Sequence, residues 1–235
     1  MKLLAFETAT EACSVALHVD GQVLERFELA PRRHAELSLP WAEQLLAEAG
    51  ISRSQLDGIA LGRGPGAFTG VRLAIAIAQG IALALDKPLL PVSTLQTLAL
   101  RAPQDAPRVL ASIDARMGEI YAARYLRGAD GSLQLQDREL LVAPDAYELP
   151  DDGSVWAGVG TGFGAGEGVL ARRWQSRLSS VDAQALPRAS DVLRIAVPAM
   201  ARGEGIAPEL VQPAYLRDNV ALTLVEQQAL RASKK

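Results

Sequence analysis

The sequence predicts an α/β protein in two halves, each opening on β runs and continued by helices. Three observations carry that expectation. Three strand signals fill the first 29 residues, helical spans then alternate with single strands, and a second triplet of strand signals starts at residue 108. With 235 residues, 49% of them hydrophobic, the chain is long enough for one large domain or two small ones and can bury a sizeable core.

Each element has its own reason. "KLLAFET" is apolar up to Thr8, "CSVALHV" is rich in β-formers, Asp20-Gly21 is a tight-turn signal and "QVLERFEL" alternates. A β meander is expected there. Helical spacing begins after Pro31, with Leu37, Trp41, Leu45 and Ala49 four apart and Gly50 as a stop; Pro40 predicts a late start or a bend. "LDGIALGRGPG" reads as a short buried strand ending in a glycine turn, "VRLAIAIAQGIALALD" as a helix and "KPLLPVS" as a strand. Strand, strand, strand, helix, strand, helix, strand is the order of a ribonuclease-H-like lobe, although other α/β proteins share parts of it. Residues 101–108, rich in proline, alanine and charge, suit a boundary. Beyond them "RVLASIDA", "EIYAARYL", "LQLQDRELLV" and "SVWAGVGTGFG" read as strands, and "VLARRWQSRL" and "ASDVLRIAVPAMARG" as helices.

Composition narrows the function. A net charge of −3 gives no general basic footprint for nucleic acid. Arg172, Arg173 and Arg177 around Trp174 are at helical spacing, more often a solvated face than a nucleic-acid site. The lone Cys13 allows no internal disulfide and no zinc pair, and no uninterrupted apolar run of membrane-spanning length is found, so a cytoplasmic setting is expected. His18 and His34 lack an i,i+4 partner for a metal. Cys13, in a strand without a neighbouring cation, reads as a buried inert thiol. Glu7, Asp57, Asp114 and Glu119 lie near strand ends and are candidate carboxylates for metal-dependent chemistry, with an Asp114–Arg116 pair the commoner fate.

"GRGPGAFTGVRLAIAIAQG", residues 62–80, resembles a phosphate loop but lacks its chemistry. A P-loop needs a lysine followed by Ser or Thr at the helix start; here the helix begins Thr69-Gly70-Val71-Arg72, and the spacing is not G-x-G-x-x-G. The turn reads instead as a tight strand-to-helix connection with Thr69 as cap and Gly70 allowing close backbone packing. The following helix has no polar face. It must be covered on both sides, by a partner or by the chain's own second half. Ala74, Ala78 and Ala82 form a small-residue stripe that would admit another helix, and Leu37, Trp41 and Leu45 could extend the surface.

"LLAFETATEACSVAL", "GPGAFTGVRLAIAIAQGIALALDKPLLPVSTLQTLA", "IDARMGEIYAARY" and "QPAYLR" together resemble the bacterial TsaB (YeaZ) family over nearly the whole chain. The resemblance implies two ribonuclease-H-like lobes of the actin, Hsp70 and sugar-kinase (ASKHA) superfamily, with mixed sheets flanked by helices. Residues 1–101 would form the lobe carrying partner-binding helices, and 102–235 the second lobe, its last helix packing back on the first. It further implies a non-catalytic scaffold or activator subunit for threonylcarbamoyl transfer to N6 of adenosine 37 in tRNAs reading codons that begin with A. The implied partners are the catalytic paralogue TsaD, the ATPase TsaE docking on the pair, and a second copy of the chain when TsaD is absent; tRNA is reached through the complex, and no membrane or cofactor is involved. Where TsaD carries a metal-binding His-x-x-x-His, this chain has Thr94 and Leu98, and Ala9 occupies a position of the first phosphate loop where a more polar or flexible residue is expected. The implied partner surface is Leu37, Trp41, Leu45, Val71, Ala74, Ile75, Ala78 and Ile81. An ATP-dependent transferase or a glycoprotease-like peptidase is the competing reading.

Overall fold

The computed structural model describes residues 1–217. The end of the second half, expected to run to residue 235, lies outside the described residues from residue 218 on.

The first sheet grows from the meander. Strands β1 (Lys2–Glu7), β2 (Ala12–Val19) and β3 (Gln22–Leu29) pair antiparallel around the Asp20-Gly21 turn, where φ is positive at both positions. Strands β4 (Gly58–Gly62) and β5 (Leu89–Val92) add in parallel, giving the order β3-β2-β1-β4-β5. β1 and β4 alternate two apolar sets, because both faces of this sheet are covered. Leu4, Phe6, Ile59 and Leu61 face helices α1 (His34–Glu48) and α2 (Phe68–Leu85); Leu3, Ala5, Ala60 and Leu90 face the other way. Pro40 neither delays nor stops α1, which begins at His34.

The second sheet repeats the plan. Strands β6 (Arg108–Arg116) and β7 (Glu119–Arg127) form an antiparallel hairpin; β8 (Leu133–Leu135) and β9 (Leu140–Val142) both pair with β7; β10 (Trp156–Val159) and β11 (Leu178–Asp182) extend the sheet in parallel beyond β6. Its path, β8-β7-β6-β10-β11, matches the first sheet strand for strand. The stretch 133–142, expected as one strand, is two short ones. The expected helix "VLARRWQSRL" is the end of α4 (Ala165–Arg173) followed by a 3-10 turn, with Leu178 already in β11.

Packing crosses the boundary near residue 101 in both directions. Helix α3 (Thr94–Ala99), on the first side of it, lays Leu95 and Leu98 on the second sheet with Val109, Ala111 and Tyr125. Helix α5 (Ala189–Ala201), far beyond it, covers the free face of the first sheet with Ala189, Val192, Leu193 and Ala196. The chain then stays on the first lobe: Ile206 bridges to Leu89, Val211 enters its core, and the Ala214 N–H donates to the Arg63 carbonyl at 2.8 Å. A sheet with two apolar faces needs two helical layers, and in each lobe one layer comes from across the boundary.

Candidate functional site

The glycine turn closes on the chain itself. A Cβ at Gly62 would land on the Glu7 carboxylate, at Gly66 on the Ala9 carbonyl and at Gly70 on the Thr8 carbonyl, so only glycine admits this approach of the β1–β2 turn. Gly64 has φ +94°, a second reason for glycine. The contact is sealed by the Ala67 N–H donating to Ala9 O and the Thr8 hydroxyl donating to Gly70 O, both at 2.7 Å. Thr69 is not the helix cap. The bond to Ala9 fixes Ala67 as the N-cap residue, so Thr69 falls within the first turn and no side chain caps α2.

Beneath the turn lies Glu7, 1% exposed, accepting from the Ala9 N–H at 2.8 Å and the Thr94 hydroxyl at 3.2 Å. Burial pushes its carboxyl up to about 7, against those hydrogen bonds, which pull it down. Thr94 also accepts from the Gly64 N–H at 3.2 Å, tying α3 to the glycine turn. Leu98 is fully buried in the second core. Thr94 and Leu98 are thus a buried hydrogen-bonding group and a core side chain.

The remaining candidate carboxylates do not converge. Asp57 accepts from the Lys2 N–H at 2.7 Å, Asp114 pairs with Arg116 at 2.9 Å and Glu119 with Arg217 at 2.8 Å. No group of three or more metal-ligating side chains occurs among the described residues. His18 and His34 each face backbone carbonyls. Cys13 is buried 3.6 Å from Ser38, and burial raises its thiol. The cationic cluster is spent locally: Arg172 on the Glu167 carbonyl, Arg173 on Glu148, and Arg177 on the Ser154 and Pro150 carbonyls and Asp152. Arg177 also leaves the helical face, since it sits in the turn after α4.

Helix α2 divides into two faces that its composition hides. Val71, Ala74, Ile75, Ala78 and Ala82 are buried in the first core, and Leu45 of α1 joins them at 0% exposure. The small-residue stripe therefore admits the chain's own sheet, not a second helix. Small side chains face inward because α2 lies close over β1 and β4. Leu37, Trp41 and Ile81 are half-buried. The outward face carries Ala76, Gly80, Leu83 and Ala84, all exposed, with Leu83 at 65%, and Leu39 of the neighbouring α1 is 48% exposed. Nothing among the described residues covers this surface. The residues missed by sequence reasoning are these outward ones, and a helix with no polar side gives no phase by which to find them.

The family described as "TsaD: tRNA N6-adenosine threonylcarbamoyltransferase" matches residues 27–155, from β3 through α1 and α2 into the second lobe. The "tRNA threonylcarbamoyladenosine biosynthesis protein TsaB" of Escherichia coli K12 is 44% identical over 226 residues, covering 94% of this chain and 96% of the relative. Its Haemophilus influenzae counterpart is 37% identical, covering 94% and 95%. Among solved structures, "YeaZ from Pseudomonas aeruginosa" superposes with a TM-score of 0.82 at 46% identity, over 92% of this chain and 99% of that one. With its two repeated sheets, its self-closed glycine turn and these relatives along nearly its full length, the chain belongs to the TsaB (YeaZ) family.

Proposed function

We propose that the protein is a non-catalytic scaffold subunit in threonylcarbamoyladenosine formation on tRNA, pairing through the outward face of α2 and the adjoining part of α1 with a TsaD-type catalytic subunit in the cytoplasm. The relatives' printed role in tRNA threonylcarbamoyladenosine biosynthesis supports the pathway. One observation carries the mode of action: between Arg72 and Asp86, α2 has no charged residue, yet Ala76, Gly80, Leu83 and Ala84 stand exposed. A contiguous apolar helix face of this kind is the ordinary mark of a protein partner site. By length and composition α2 would also pass for a membrane span, but its opposite face is built into the first sheet. The self-closed glycine turn and the replacement of the paralogue's two histidines by Thr94 and Leu98 support the non-catalytic half of the reading. TsaE docks on the assembled pair, and a second copy of this chain takes the face when TsaD is absent.

Leu83→Arg tests the reading. It adds a charge on the exposed face, so the chain should keep its melting temperature but lose co-purification with TsaD and the modification in a strain lacking the native protein. Retained pairing by a folded Leu83→Arg chain overturns the proposed surface. Ala78→Arg is the contrasting variant: a guanidinium in the first core should unfold the lobe, so loss of pairing there says nothing about the interface. Micromolar ATP binding by the isolated chain would favour the transferase reading instead.

A further inference from the structure

A separate cavity of about 550 Å³ opens between the lobes where β5, the start of α3 and the β7–β9 ribbon meet. Arg63, Ser93, Gln96 and Glu139 supply its polar wall, Val92 and Ile195 part of its apolar one, and exposed Arg138 and Asp137 also line it, Asp137 already paired with Arg124. Two features of that wall are unexplained by the fold. Tyr125 is 1% exposed and packs beside Ser93, with its hydroxyl closed off from the cavity. Ser93 gives its proton to Glu139. Arg63 is held by its main chain, its N–H on Val92 O and its carbonyl under the Ala214 N–H, while its guanidinium makes no ion pair or hydrogen bond among the described residues. Among the described residues Glu139 has only the Ser93 hydroxyl; burial raises its carboxyl, and the field of Arg63 opposes that rise without the two groups closing into an ion pair.

Opposite charges that face one cavity and leave a gap between them select the occupant by charge. An anion alone would meet Arg63 but sit beside the Glu139 carboxylate, and a cation alone would meet the reverse penalty. A molecule bearing both charges a few bonds apart satisfies both sides. We propose that this cavity binds a free α-amino acid, its carboxylate on the Arg63 guanidinium and its ammonium on Glu139. The amino-acid side chain then lies against Val92 and Ile195, and the remaining volume holds water. Because none of these residues is on the outward face of α1 or α2, the site is independent of the pairing surface.

The test is calorimetric titration of the purified full chain with each proteinogenic L-amino acid. The matching amine and carboxylic acid of each binder serve as controls. The expected result is saturable binding of at least one amino acid with Kd below about 1 mM, and no binding of the amine or the acid that lacks one charge. Arg63→Gln and Glu139→Gln should each weaken binding about tenfold or more. Should Glu139→Gln unfold the chain, Arg63→Lys keeps the charge but loses the bidentate fork and should still weaken binding. The proposal fails if no amino acid binds up to about 10 mM, if the amine or acid binds as well as the amino acid, or if the variants bind like the parent. It fails equally if only a chain ending at Arg217 binds, because the cavity's occupant is then the protein's own C-terminal residues.

Discussion

At the scale of single residues, Glu7 is the group whose ionisation the fold opposes. Its folded-state value, about 7, lies above the ordinary 4.5, so the folded protein holds a proton that the unfolded chain has released. Stability is therefore full below about 4.5 and is lost as pH rises through about 7. For this one group the loss between pH 5 and 8 should be about 2–3 kcal/mol. Urea midpoints across that range should fall for the parent chain and stay nearly level for Glu7→Gln, which keeps the shape but cannot ionise. An unchanged slope in the variant would assign the pH dependence elsewhere. The glycines above Glu7 make a parallel prediction. Gly62→Ala and Gly70→Ala each place a Cβ on buried atoms of residues 7 and 8, and each should cost more than about 3 kcal/mol or abolish folding. Gly80→Ala has nothing within 4 Å, lies in the middle of α2, and should raise stability by about 0.5–1 kcal/mol in the same urea measurement.

At the scale of elements, what could be read from sequence follows from how much each pattern commits. Alternation and turn chemistry commit strongly, so the opening meander, the tight strand-to-helix glycine turn and α2 are legible. An apolar helix commits to burial but not to direction. The eight residues assigned to the partner surface therefore include five, Leu45, Val71, Ala74, Ile75 and Ala78, that the first core takes, while Leu83 and Ala76 went unnamed. Two short elements escaped for another reason. α3 has six residues, all but Gln96 buried, too few to display a period; β11, "LSSVD", is a largely exposed edge strand without the apolar content that marks a strand. The contrast between Leu83→Arg and Ala78→Arg measures this directly. The same charge on one helix should leave folding intact at one position and destroy it at the other, five residues away.

At the scale of the molecule, the two lobes exchange helices, and that is a property no local pattern announces. α3 precedes the boundary and completes the second lobe; α5 follows the whole second sheet and completes the first. A buried latch aligns α5 on its host: Ser14 Oγ accepts from the Ala189 N–H at 2.9 Å and donates to Glu25, which also accepts from the Ser190 N–H at 3.0 Å and pairs with Arg188 at 3.2 Å. Residues 1–101 alone would leave Leu3, Ala5, Ala16, Ala60, Leu90 and Val92 as a bare apolar sheet face and would expose the α3 residues Leu95 and Leu98 as well. Such a fragment should aggregate or melt without a cooperative transition, since losing one helical layer removes about half of the sheet's apolar cover. Joining residues 1–93 to 187–217 through a flexible linker restores α5 and the strap through Val211 while omitting α3, and that chain should unfold cooperatively in urea. If the 1–101 fragment alone gives a sharp transition with native-like circular dichroism, the first lobe does not depend on α5, and the exchange of helices is an accessory to a domain already complete.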